Sequence, residues 1–360
     1  MRQKLPDFPW DALAPYAAVA RKHQQGAIDL SVGTPVDPTP QFIQEAFKAA
    51  ANSPGYPVTM GTPDLRNAMT QWAVKTLGIT GDFAVLPLIG SKEFVAWLPT
   101  FLEAQSVLYP EVAYPTYLVG ALLGESNPTA VNFDASDWPP ADLAWINSPS
   151  NPTGRVNSES EFRAAISWAR ATDGVLVSDE CYLEFGDSAT PTSMLKYSDG
   201  NNKNLLAVYS LSKRSSMAGY RAAFVVGDPE LIANILEVRK HAGMIVPLPV
   251  QHAMIAALSD DKHVAEQRAR YNARRALLAP ALISAGFTIE NSEAGLYIWA
   301  TRSEDSWESV AWLAEIGIIA TPGHFYGENG SSHIRVALTA TDLQISEAAT
   351  RILAKVSMKK

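Results

Sequence analysis

Cysteine is almost missing from this 360-residue chain: Cys181 stands alone, so no intrachain disulfide can form. That suits a reducing compartment, because small secreted domains lean on disulfides. No run of 18 uninterrupted apolar residues occurs, which leaves no candidate membrane span. The opening residues, MRQKLPDFPWDALAPYAAVARKHQ, lack the apolar centre of a signal peptide, and a cytoplasmic location is expected. Basic excess is absent too. Lys and Arg number 29 against 37 Asp and Glu, for a net charge of −8 and a pI near 5.3. That balance argues against nucleic acid as the main partner. The six histidines show no metal-ligand spacing, and neither a P-loop nor G-x-G-x-x-G occurs. There is no internal repeat and no low-complexity tract.

What is present is a well-patterned globular chain. Apolar residues make up 47% and charged residues 18%, enough for large buried elements. The length suits about two domains. From about 84 to 227, apolar runs alternate with amphipathic helices: AVLPLIG (84–90), ADLAWIN (141–147), GVLVSDE (174–180), LLAVYS (205–210) and AAFVVG (222–227). Short apolar strands alternating with helices imply a mostly parallel sheet covered on both faces, an α/β architecture. Ser158 with Glu161 three residues on reads as a capping box, and Asp228-Pro229 as a helix start. A long helix is expected over about 260–285, with Pro280 a candidate kink. Beyond it, strands near 287–290, 295–300 and 333–338 and helices near 306–316 and 342–356 read as a smaller α+β domain. The expected division is an N-terminal segment packing with the small domain (1–40), a large domain (41–258) and a small C-terminal domain (259–360).

The stretch YSLSKRSSMAGYRAAF (209–224) sets two hydroxyls, a lysine and an arginine between two apolar runs. Ser210, Ser212 and Arg221 suit a phosphate: hydroxyls donate to its oxygens and a guanidinium grips them in pairs. An amine near such cations and partly desolvated, Lys213, loses proton affinity and can condense with an aldehyde. Three more polar loops follow apolar runs: IGSKEF (89–94), NSPSNPTGR (147–155) and VSDECY (177–182). In a parallel sheet these loops gather at one edge. A helix opening at Ser91 and Lys92 offers free backbone N–H groups to phosphate. Asp179 offers a carboxylate that keeps a pyridinium protonated, and Asn151 and Tyr182 can donate to a phenolic oxygen. Cys181 reads as a packing residue.

Together, NPTG, SDECY and SLSKRSSMAGYR resemble the pyridoxal 5'-phosphate (PLP) aminotransferases of fold type I, class I/II. Asn151 to Asp179 is 28 residues, Asp179 to Tyr182 three, and Lys213 to Arg221 eight. The resemblance implies that Lys213 binds the cofactor covalently and moves the proton. It implies Asp179 at the ring nitrogen, Asn151 and Tyr182 at the ring oxygen, and Tyr114 stacked on the ring. Ser91, Lys92, Ser210, Ser212 and Arg221 would hold the phosphate, with Tyr56 crossing from the partner of a homodimer. Arg335 would take the substrate α-carboxylate, helped by the backbone at Gly33 and by Asn151.

Finer text, LPDFPWDAL, DLSVGTPVDPTP, EVRKHAGMIVPLPVQ and EAGLYIWAT, resembles the succinyldiaminopimelate aminotransferases of lysine biosynthesis. That implies a small-molecule amino donor and a 2-oxo acid, both carrying a second carboxylate. Lys92 is the favoured residue for the distal carboxylate, with Arg239 and Lys240 as rivals. Other aminotransferases of the class (aspartate- or aromatic-type) and a PLP carbon–sulfur lyase are the alternatives.

Overall fold

The structure, a computed structural model, describes residues 5–358. Among these residues, thirteen strands form three sheets. In chain order they are β1 (Ile28–Asp29), β2 (Ala84–Leu88), β3 (Ser106–Pro110), β4 (Asn127–Val131), β5 (Leu143–Asn147), β6 (Val175–Asp179) and β7 (Leu205–Ser210). They continue with β8 (Ala223–Gly227), β9 (Thr288–Ile289), β10 (Tyr297–Thr301), β11 (Ile318–Ile319), β12 (Thr321–Pro322) and β13 (His333–Ala337).

The main sheet runs β2-β8-β7-β6-β5-β3-β4. The pairs β3/β4, β3/β5, β5/β6 and β6/β7 are parallel, while β8 runs against both β7 and β2. The sheet is therefore mostly parallel, as the alternation of strands and helices predicts. Successive residues of a strand face opposite sides. Leu205 and Ala207 enter one apolar cluster, whereas Leu206 and Val208 enter another across the sheet. The edge strands β2 and β4 carry Pro87 and Pro128, tolerated there because an edge needs fewer ladder donors. Strands β3 and β4 are not legible in the sequence pattern. The exposure and proline of β4 hide it from an apolar-run criterion.

The second sheet is antiparallel, β12-β13-β10-β9, and β1 pairs with β11. A third apolar cluster unites Leu13, Ile28 and Leu30 of the N-terminal segment with Tyr271, Leu278, Ile298 and Val336. The capping box at Ser158 and Glu161 is formed, and Asp228 accepts from Glu230 and Leu231. Helix Lys262–Ser284 stays helical through Pro280. Among the described residues, no helix is long and apolar enough to cross a membrane.

Candidate active site

Register explains why distant loops meet. Asn147, the last residue of β5, lies opposite Asp179, the last of β6, and Asp179 lies opposite Val208 near the end of β7. The parallel strands thus end level, and whatever follows each of them shares one rim. The rim opens into a cavity of about 740 Å³ lined by Ser91, Lys92, Tyr114, Asn151, Asp179 and Tyr182. Ser210, Ser212, Lys213 and Arg221 line it from the next two strands. Gly33 and Arg335 close it from the smaller sheet's side. Tyr56 is not brought there within one chain; it is 99% exposed.

The anion end is built from main chain as much as side chains. Gly90 has φ +78°, and a Cβ there would stand 2.1 Å from Arg221 Nη2, so only glycine lets the guanidinium lie against this turn. Helix Ser91–Phe101 follows with no side-chain cap. Its first N–H groups and positive dipole end therefore remain for an anion. Ser210 Oγ accepts from Ser212 N at 3.2 Å, which folds the turn that carries Lys213. Arg221 itself has a left-handed φ of 58° and donates to Ala218 O at 3.0 Å.

Lys213 is half-buried, and its amine donates to the carbonyl oxygen of Gly33. Burial pulls its pKa down, with Arg335 and Arg221 adding to the effect and Tyr297 and Cys181 opposing it. Asp179 is 7% exposed, and burial pushes its pKa up. Opposing that, Tyr117 Oη donates to Oδ2 at 2.9 Å and Cys181 N to Oδ1 at 3.2 Å. Tyr182 shares a 3.1 Å hydrogen bond with Tyr297 Oη. Asn151 is held by its own N–H, which donates to Asn147 Oδ1 at 2.7 Å.

Arg335, on β13, donates to Asn151 Oδ1 (2.8 Å) and Ser31 O (2.6 Å), with its guanidinium 4.0 Å over the Tyr297 ring. Its Nε is buried without a partner among the described residues. Lys92 Nζ stands 5.9 Å from the ring centroids of both Phe8 and Tyr114. The two rival cations lie elsewhere. Arg239 is wholly buried and donates to Glu93 Oε1 at 2.7 Å and Met244 O at 3.3 Å. Lys240 pairs with Glu237 at 2.6 Å on the surface. Helix Pro229–His241 turns these two side chains away from the rim, which helical phase from a single sequence does not disclose.

Phe8, Trp10, Tyr117 and Tyr297 also line the cavity; the stretches LPDFPWDAL and EAGLYIWAT contain three of them, but none is among the expected site residues. Tyr117 lies in the first turn of helix Thr116–Leu123 and Tyr114 just before it, and their rings meet edge-on with centroids 6.1 Å apart. The others come from segments whose approach depends on how the two sheets dock.

The residues fit pyridoxal phosphate. Uncapped amides, hydroxyls and Arg221 match a phosphate, Asp179 matches a protonated ring nitrogen, and Lys213 supplies the amine. The class I and II aminotransferase family profile matches residues 25–352, and this chain belongs to that family, whose members use pyridoxal 5'-phosphate. It is 54% identical over 357 residues to the probable aminotransferase Rv1178 of Mycobacterium tuberculosis, covering 97% of this chain and 85% of that one. It is 49% identical to the 4-dedimethylamino-4-oxo-anhydrotetracycline transaminase OxyQ of Streptomyces rimosus, covering 97% and 99%. Among solved structures, a probable N-succinyldiaminopimelate aminotransferase from Thermus thermophilus superposes with a TM-score of 0.88 at 27% identity, covering 96% of this chain and all of the other (100%).

Proposed function

We propose that this aminotransferase exchanges an amino group between glutamate and the oxo form of N-succinyl-LL-2,6-diaminopimelate, reversibly and by a ping-pong sequence. This is the succinyldiaminopimelate transaminase reaction (EC 2.6.1.17) of lysine and diaminopimelate synthesis. The observation that carries it is the pair of cations in one cavity. Arg335 comes from the small sheet and Lys92 from the helix after β2. Both substrates carry an α-carboxylate and a distal one.

Pyridoxal phosphate, when bound, supplies the aldehyde that takes up the amino group and the ring that accepts the electron pair left at the α-carbon. Arg335 orients the substrate through its α-carboxylate. Lys213 Nζ, with its pKa drawn down by burial, would take the α-proton and return it to the carbon on the far side of the transferred nitrogen. The Tyr117 and Cys181 donors favour the carboxylate form of Asp179 against the upward push of burial, and that carboxylate would hold a proton at the ring nitrogen. Tyr182, oriented by Tyr297, would with Asn151 donate to the ring oxygen. Lys92 receives the distal carboxylate. The active unit is a homodimer in which the exposed Tyr56 reaches the partner's phosphate site; half-exposed Val58 and Met60 lie on the same loop. The chain divides into the N-terminal segment 1–40, the large domain 41–258 and the small domain 259–360, and the enzyme is cytoplasmic.

A second reading has its own observation. Phe8 and Trp10, 5.5 Å apart, wall the cavity with Tyr114, and the 49%-identical relative is named for a ring-ketone substrate. That favours a bulky, ring-bearing oxo substrate. Single-turnover half-reactions with glutamate, N-succinyl-diaminopimelate and alanine separate the readings, run on wild type, Arg335→Lys and Lys92→Ala. Arg335→Lys keeps charge but loses the planar fork, so it slows all three donors. Lys92→Ala slows the two with distal carboxylates about ten- to a hundred-fold and spares alanine. Equal slowing of all three removes Lys92 from substrate reading. A wild type inert toward N-succinyl-diaminopimelate but fast with an aromatic ketone supports the second reading.

A further inference from the structure

The two residues after Lys213 turn away from the cavity and reach one place. Arg214, wholly buried, donates from Nε to Glu184 Oε2 at 2.6 Å and from Nη1 to the carbonyl oxygen of Ala257. Its Nη2 lies 3.5 Å from Asp261 Oδ1. Ser215, 1% exposed, shares a 2.8 Å hydrogen bond with His263 Nε2. Ala257 belongs to the last turn of helix Leu248–Leu258, and His263 to the first turn of helix Lys262–Ser284. The turn that carries the lysine is thus fastened to the junction between these helices.

Asp260 completes the set. Its Oδ1 accepts from His263 N at 2.9 Å and from His263 Nδ1 at 2.6 Å. One carboxylate therefore caps the helix and orients the imidazole. An ionised carboxylate only accepts, so the ring proton sits on Nδ1 and Nε2 accepts from the Ser215 hydroxyl. Burial pulls the imidazole's pKa down against the opposing Asp260 bond, which keeps the ring neutral. Phe42 packs edge-on against it, with centroids 5.5 Å apart.

Serine, histidine and aspartate in this order have the connectivity of a nucleophile, its base and an orienting acid. Acyl chemistry is excluded here because a hydroxyl 1% exposed receives no substrate, and Ser215 does not line the active-site cavity. A second route joins the same parts. Thr39 Oγ1 donates to Ser216 O at 2.6 Å, across a serine with a left-handed φ of 51°. Asp37, in the same loop, accepts from Arg274 Nη2 (2.7 Å) and Gln267 Nε2 (2.8 Å) of helix Lys262–Ser284. Gly33, also in that loop, accepts from Lys213 Nζ. Lysine turn, loop and helix therefore form a closed circuit.

We propose that Ser215, His263 and Asp260 are positioning residues for Lys213, tying its turn to the first turn of helix Lys262–Ser284 so that this helix sets where the amine stands. The proposal rests on Lys213 being the cofactor-binding lysine. The test uses holoenzyme of wild type, Ser215→Ala, Ser215→Thr, His263→Gln and the double variant Ser215→Ala/His263→Gln. Visible circular dichroism reads the bound cofactor's orientation, pyridoxal phosphate titration gives its Kd, and glutamate kinetics give kcat and KM. Ser215→Ala and His263→Gln each lower kcat about tenfold and raise the cofactor Kd about as much, with KM nearly unchanged. Both shrink the dichroic band, and Ser215→Thr, which keeps the hydroxyl, restores most of it. The double variant is no worse than the poorer single, because one link is broken only once. Variants that match wild type in dichroism, Kd and kcat overturn the proposal. So do losses that multiply in the double variant. So does a fall in Tm and activity with an unchanged dichroic band and no rescue by threonine. A wild type that loads cofactor on another lysine overturns the Lys213 reading itself, and a borohydride-trapped peptide map distinguishes that case.

Discussion

Tyr117→Phe isolates one atom of the site. Tyr117 is wholly buried and stacked on Trp145, with centroids 5.2 Å apart and ring planes at 28°. Phenylalanine keeps the ring, the stack and the volume, and removes only the hydroxyl that donates to Asp179 Oδ2 at 2.9 Å. A hydrogen bond to a buried ionised group is worth roughly 1.5–3 kcal/mol, about ten- to a hundred-fold on a rate that needs the ionised form. The direction follows from which form the donor favours. Tyr117 supports the carboxylate, while burial already pushes the Asp179 pKa up. Losing the donor pushes it up further, so the acid limb of the pH–rate profile moves to higher pH. The assay is stopped-flow conversion of the bound cofactor by glutamate across that limb, for Tyr117→Phe, Asp179→Asn and the double variant. In the Asp179→Asn background there is no charge left to support, and Tyr117→Phe costs less than about threefold. A single variant within about twofold of wild type with an unmoved acid limb refutes the reasoning. So does a full, multiplied loss in the Asn background.

Glu180, next in the chain, offers a stability test. Its carboxyl is 0% exposed, and burial pushes its pKa from 4.5 up to about 7 although Met194 N donates to Oε1 at 2.9 Å. A raised carboxylate pKa contributes stability that is fully present below 4.5 and lost as pH rises through about 7. At about 1.4 kcal/mol per pH unit, that loss is on the order of 3 kcal/mol. Glu180→Gln keeps an acceptor for Met194 N and carries no charge, so wild type loses stability relative to it by about that amount between acid and mildly alkaline pH. Urea unfolding of the two proteins across that range checks this, and a flat difference contradicts it. For assembly, the proposed shared site predicts that the protein sediments as a dimer, and that Tyr56→Phe leaves the dimer intact while weakening cofactor retention about tenfold. A fully active monomer rules out the shared site.

The candidate residues that the structure gathers in one cavity were legible because each sits in a short local pattern with one physical use. Lys213 lies between hydroxyls and Arg221, Asp179 ends an apolar run, and Asn151 follows another. Apolar runs alternating with capped helices were enough to imply a mostly parallel sheet. Parallel strands with level ends then bring these loops to one rim whatever lies between them. The residues that tune the site were not legible in the same way. Tyr117 meets Asp179, Tyr297 meets Tyr182 and Arg335, and Phe8 reaches Lys92 only when helices and sheets dock. Arg239 showed the converse: a cation beside the right motif that helical phase buries against Glu93. Local sequence determined which groups are available and which element carries each one, because propensity and capping act over a few residues. Tertiary packing decided which of them face the cavity, how strongly burial shifts Lys213, Asp179 and Glu180, and that His263 holds the lysine's own turn. Desolvation and contact depend on neighbours brought together from far along the chain, for example Ser215 with His263 at a separation of 48 and Arg335 with Ser31 at 304.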